Sequence, residues 1–106
     1  MPPLTTAVVH MLISLGGGER HGYGILKDVQ RQSEGRVKLG PGTIYGTLQR
    51  LMETGWVEET RGPAHTDERR RYYRLTPAGR RAAVAEAERL QRLVNVARAH
   101  RLLSRV

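Results

Sequence analysis

At 106 residues the chain has room for one compact domain and an appended element. Only 39% of it is apolar and no run approaches the roughly 18 consecutive apolar residues of a spanning helix, so a membrane-spanning class is not expected. Eighteen Lys and Arg against ten Asp and Glu give +8, which predicts salt-sensitive attraction to polyanions, and the lack of cysteine excludes disulfides, thiolate metal sites and thiol redox sensing.

The opening Met1-Pro2-Pro3-Leu4 has neither the basic nor the apolar region of a secretion signal, so a cytoplasmic protein is expected. Thr5 to Leu15 reads as a first helix capped by Thr5 or Thr6, with Val8, Met11, Leu12 and Leu15 at three- and four-residue spacing. Gly16-Gly17-Gly18 stops it. A second helix is predicted from Gly22 to Ser33, with Tyr23, Leu26 and Val29 toward the core and Gly35 ending it. Val37-Lys38-Leu39 alternates as a very short strand would. The third helix runs from Pro41, whose missing N–H costs nothing in a first turn, to Thr54, with Gly55 as its C-cap. Ile44, Leu48 and Leu51 lie within about 60° of one another on a helical wheel and form its buried stripe.

The period then changes to that of strands. Trp56 to Arg61 and Arg69 to Leu75 flank the turn-forming residues 62–67, which predicts a hairpin with a polar tip. Thr76 caps a final helix with Pro77 at its first position, expected to reach about Ser104. The fold class is therefore mainly α with a small β-hairpin wing. Residues 1–76 are expected to form a winged helix-turn-helix DNA-binding head, and residues 77–106 a long C-terminal dimerisation helix.

In that order of elements the third helix can enter a major groove while the hairpin reaches the adjacent backbone. The first turn of the third helix contains Gly42, Thr43 and Tyr45, whose free N–H groups and hydroxyls suit a phosphate; an ordinary capped helix start is the alternative. Its exposed face is expected to carry Gly46, Thr47, Gln49 and Arg50. Gln suits adenine and Arg suits guanine or phosphate, although either could be merely solvated. A mid-helix Gly46 costs ~1 kcal/mol relative to alanine, which a close approach to DNA or another backbone would offset. On the hairpin, Arg61, Arg69, Arg70, Arg71 and Arg74 suit phosphates unless Glu58, Glu59 and Glu68 neutralise them. Alternation puts Arg70, Tyr72 and Arg74 on one face, so one of the two tyrosines should pack on the head and the other interleave with arginines.

Three blocks resemble one family. His21-Gly22-Tyr23-Gly24-Ile25, the run from Gly42-Thr43-Ile44-Tyr45 through Arg50-Leu51 to Gly55, and Arg71-Tyr72-Tyr73-Arg74-Leu75-Thr76-Pro77-Ala78-Gly79 are similar, in order and spacing, to the PadR-type regulators. The resemblance implies a winged-helix transcription factor, usually a repressor, dimerised by its C-terminal helix. It implies that Thr43, Tyr45 and their neighbours face double-stranded DNA while the wing contacts its backbone. Gly46 stands where many members have proline, and Gly24 where many have an acid. Some relatives sense phenolic or drug-like ligands, which leaves room for a small-molecule effector whose identity this sequence does not carry.

Along the last helix Val84, Ala87, Leu90, Val94 and Ala97 make a broad apolar stripe, with Leu93 beside it. A homodimer burying Val84, Leu90, Leu93, Val94 and Ala97, together with Leu12 of the first helix, is expected; packing back across the head is the alternative. The sequence lacks the nucleophile motifs and phosphate loops of an enzyme, its four histidines show no metal-ligand spacing, and no cofactor is expected. Two other readings remain: a winged-helix protein-interaction module without sequence-specific DNA binding, and a membrane-surface protein. The first is disfavoured by Gln49, Arg50 and the wing arginines, the second by a last helix without Trp or Phe.

Overall fold

The computed structural model describes residues 4–62 and 70–104. Among these residues, four helices, α1 (Thr6–Gly16), α2 (Gly22–Gln32), α3 (Pro41–Thr54) and α4 (Pro77–Ala99), pack with a sheet of β1 (Arg20–His21), β2 (Val57–Thr60) and β3 (Tyr72–Leu75). The sheet is antiparallel with order β1-β3-β2, Val57 opposite Leu75 and His21 opposite Tyr72.

Local chemistry sets the helix starts. Thr5 and Thr76 accept from the amides of Val8 and Gly79 at 3.2 and 3.1 Å, and Pro41 and Pro77 occupy first-turn positions. Gly55 closes α3 in the left-handed conformation (φ 86°). The core joins Met11, Leu12 and Leu15 of α1 to Ile25 and Val29 of α2, to Ile44, Leu48 and Leu51 of α3, and to Trp56, Val57 and Tyr73 around the sheet.

Several expectations are corrected. Val37 to Leu39 is not a strand: the Val37 amide donates to Ser33 Oγ at 3.0 Å, and Val37 and Leu39 simply pack against the core. The third strand is instead β1, too short to leave an alternating pattern. In α2 the inward stripe is Ile25 and Val29 with Leu26 partly covered, which turns Tyr23 outward to 59% exposure. α4 ends at Ala99 rather than near Ser104 because Arg101 adopts φ 59°, letting the Leu102 amide donate back to the Ala97 carbonyl at 2.9 Å.

Asp28 ties the head together electrostatically. It accepts from Arg31 Nη2 at 2.6 Å and lies 3.7 Å from Arg20, whose Nε donates to the Ser14 carbonyl at the end of α1. The Arg31 hydrogen bond, with Arg20 adding to it against the opposing effect of burial, holds this carboxyl below the ordinary 3.8. As pH falls, the unfolded chain protonates Asp28 before the folded one does. The stabilisation is therefore present above the unfolded value and disappears as pH falls through the folded one. Asp28→Asn should flatten the acid limb of the urea midpoint plotted against pH, while wild type weakens progressively below about pH 4. Parallel acid limbs would show that the carboxylate contributes nothing.

α4 runs back along α1. Arg80 donates to the Gly16 carbonyl at 3.3 Å, Ala82 and Ala83 pack on the core, and Glu86 is buried with Arg89 donating to it. Arg89 and Leu90 then border a groove with Leu4, Thr6, Val9 and Ile13 near the start of α1. The rest of α4 runs past the head, making the molecule 50 Å long and 27 by 25 Å across. Among the described residues no helix is long and apolar enough to cross a membrane.

Candidate nucleic-acid interface

The buried stripe of α3 fixes what its opposite side presents. With Ile44, Leu48 and Leu51 inward, Gly42, Thr43, Tyr45, Gly46, Gln49 and Arg50 are all exposed. Thr47 is the exception to the sequence expectation: it is buried beside Leu48 in the sequence and continues the inward stripe from Ile44 at i+3. Gln49 donates to Glu53 at 3.3 Å, and Arg50 reaches only a 3.4 Å contact with Thr47, so both side chains lie along the helix surface. The N-cap, Gly40, makes no side-chain hydrogen bond, which leaves the first-turn amides of Gly42 and Thr43 directed outward. A Cβ at Gly42 or Gly46 would meet open space, so packing within this chain does not account for either glycine.

Tyr45 links this face to the next element. Half exposed, its ring leans over the start of α2, where a Cβ on Gly22 would stand 2.5 Å from the phenol oxygen. Gly22 thus admits Tyr45, a close approach that nothing in the spacing of the sequence announces. Beside it opens a cleft of about 420 Å³ lined by His21, Tyr23, Tyr45, Arg70 and Arg71. His21 caps α2, its Nδ1 accepting from the Gly24 amide at 3.0 Å. Its ring stacks near Tyr23 and meets the edge of Tyr72 at 5.3 Å between centroids. Burial first, and then the Arg70 charge, hold the imidazole below 6.5.

The wing differs from expectation in two respects. Tyr72 does not face outward among arginines: both tyrosines are buried, Tyr73 in the core and Tyr72 beneath Gly62 and the His21 ring. The reason is β1, which pairs with the other edge of β3 and sets the His21 ring beside Tyr72 as its cross-strand neighbour. The acids also take some of the arginines, Arg74 pairing with Glu58 at 2.6 Å and Arg71 with Glu59 at 3.7 Å. Arg61, just after β2, and Arg70, just before β3, are both exposed at the same end of the strand pair, beyond the Thr60–Tyr72 pairing. Arg69, Glu68 and His65 lie outside the described residues.

Of the residues expected in a dimer interface, Leu12 is corrected outright: at 1% exposure it belongs to the core of its own chain, and Ile13 is the α1 residue that faces out. Val84 and Leu93 are about half exposed, while Leu90, Val94 and Ala97 are partly covered.

Three packed helices, with the third carrying an exposed polar face and a small sheet beside it, define a winged helix-turn-helix protein. Residues 11–85 match the model of the transcriptional regulator PadR-like family, and the chain belongs to that family of transcriptional regulators rather than to an enzyme class. It is 35% identical over 86 residues to the transcriptional regulator Rv3488 of Mycobacterium tuberculosis, covering 80% of this chain and 76% of that one. It is 39% identical over 83 residues to an uncharacterised 37.1 kDa protein in transposon TN4556 of Streptomyces fradiae, which covers 78% of this chain but only 22% of that protein's length. In fold it is similar to Bacillus subtilis PadR, solved in complex with operator DNA, with a TM-score of 0.68 at 21% identity over 82% of this chain and 49% of that one.

Proposed function

We propose that this regulator binds duplex DNA sequence-specifically, as a homodimer on a dyad-symmetric operator, and represses transcription by occupying it. Residues 1–76 are the DNA-binding part and residues 77–106 the dimerisation part, whose helix is α4, Pro77–Ala99. The observation that carries the reading is the outward face of α3, where Thr43, Tyr45, Gln49 and Arg50 stand around two glycines that have open space above them. That face continues into the basic cleft at the wing root, so groove-reading and phosphate-holding groups lie side by side. Arg61, Arg69 and Arg70 belong to the backbone-contacting set; Tyr72 is withdrawn from it. That Bacillus subtilis PadR, of similar fold, forms a complex with operator DNA supports DNA binding by this chain.

Dimerisation is supported by α4. On a helical wheel Ala82, Ala83 and Glu86 share one side with Leu90, Leu93, Val94 and Ala97. The first three spend that side on the head, whereas Leu93, at 53% exposure, continues it beyond the start of α1. A second copy would cover this continuation together with Ile13. A small apolar effector, where one acts, would find its place in the neighbouring groove of Leu4, Val9, Ile13 and Leu90.

The test is a fluorescence-anisotropy titration against DNA from upstream of the protein's own gene, beside a scrambled duplex, at two salt concentrations. Tighter binding to the upstream DNA that survives the higher salt is expected. Tyr45→Ala and Arg70→Ala should weaken binding to every duplex, whereas Gln49→Ala should erase roughly 5- to 100-fold of preference at one base position. Wild-type affinity and preference in all three variants would show that the DNA face lies elsewhere.

A further inference from the structure

The two ring nitrogens of His21 meet contacts that one imidazole cannot satisfy together. Nδ1 lies 3.0 Å from the Gly24 amide, which can only donate, so Nδ1 must be the bare nitrogen. The neutral ring then carries its proton on Nε2. Nε2 lies 3.0 Å from Arg70 Nη1, and a guanidinium also only donates. Two N–H groups thus converge at the cleft with no acceptor supplied by either. Such an arrangement is unfavourable as a pair and favourable around an oxyanion, whose lone pairs can take both bonds.

We propose that His21 Nε2–H and the Arg70 guanidinium together clasp one phosphodiester of the DNA backbone, with His21 acting as a neutral donor whose proton is positioned by its capping of α2. The proposal rests on the DNA-binding reading above. The cleft is roomy enough for a phosphate, and Arg71 and the phenols of Tyr23 and Tyr45 line its walls. Arg71 is held toward Glu59, which leaves Arg70 as the principal charge for the anion. The occupant is a backbone phosphate rather than a free one because Tyr45 belongs both to the cleft and to the exposed face of α3. A duplex seated on that face would pass its backbone over His21. Gly24 contributes as well: its amide fixes the tautomer.

Two measurements on the full chain test this. Long-range ¹H–¹⁵N correlation spectra without DNA should show His21 as the Nε2–H tautomer, and the Nδ1–H form would overturn the clasp whatever the protein does with DNA. In the second, His21→Asn keeps an acceptor for the Gly24 amide but does not reach the cleft, so α2 stays capped and the protein stays folded, with a melting temperature lowered only by the lost contact with Tyr72. Its affinity for a duplex of about 20 base pairs at low salt should fall roughly tenfold, as for loss of a hydrogen bond to a charged group. Combined with Arg70→Ala, it should cost little beyond the larger single effect, because both variants lose the same phosphate. Wild-type affinity in His21→Asn, or full additivity in the double variant, overturns the clasp while leaving DNA binding intact. Inorganic phosphate that shifts the Nε2–H signal where the duplex does not would assign the site to a free anion and overturn the backbone assignment. Wild-type protein that binds no duplex at low salt overturns the DNA reading and the clasp with it.

Discussion

Gly79→Ala is expected to destabilise the protein by about 3 kcal/mol or more, lowering the melting temperature by roughly 12–24 °C. A Cβ at this position would stand 2.8 Å from the carbonyl carbon of Trp56 and 3.0 Å from its Cα, and closer still to the carbonyl oxygen. These are backbone atoms, and they are held. The Trp56 carbonyl accepts from the Thr76 amide at 3.0 Å, the Trp56 amide donates to Leu51, and Thr76 Oγ1 donates to the Gly55 carbonyl. Accommodating a methyl group would therefore separate α4 from the corner where α3 turns into β2. Gly46→Ala is the internal control. The new methyl group meets open space, so the variant should be more stable by up to ~1 kcal/mol, read in the same thermal melts at fixed chain concentration. Equal stability of the two variants would mean that α4 does not dock on Trp56 as described.

That contrast bears on what was legible beforehand. The bounds of α3 and its Ile44-Leu48-Leu51 stripe are legible because Pro41, the apolar spacing and Gly55 state start, face and end in local chemistry, while the burial of Thr47 is not. The wing was legible only in outline. β1 is two residues long, and its pairing with β3 joins positions about fifty apart, a distance over which no periodicity carries information. Because β1 leaves no pattern in the sequence, alternation alone puts Tyr72 outward, although the His21 ring on the neighbouring strand lies against it. Arg101 and Glu34 stop α4 and α2 in a conformation usually supplied by glycine, so those ends were overrun or placed late. The cleft illustrates the same limit for the site. His21 was visible as part of a motif, but its two incompatible donors appear only once Arg70, nearly half the chain away, is brought to its ring. Leu12 and Ile13 show a finer limit: a one-residue error along α1 exchanges a core position for an exposed one.

Leu93→Glu should convert the protein from dimer to monomer and lower operator affinity by about two orders of magnitude or more. Leu93 stands on the side of α4 that is continuous with Ala82, Ala83 and Glu86 but lies past the start of α1, so its own head gives it little cover. A carboxylate there remains solvated in an isolated chain, and the monomer's stability should hardly change. Placed against a second apolar helix, the same carboxylate would be desolvated without a partner, at a cost large enough to split a modest interface. The affinity loss follows from geometry rather than from any lost DNA contact. Two linked heads meet their half-sites with the second binding event made intramolecular, whereas single heads must bind each half-site from free solution. Sedimentation velocity and anisotropy on the same samples separate the two parts of the expectation. A Leu93→Glu protein that sediments as the wild type does would move the interface off this face of α4. Monomers that keep full operator affinity would instead show that one head reads the whole site, and that dyad symmetry is not what the operator requires.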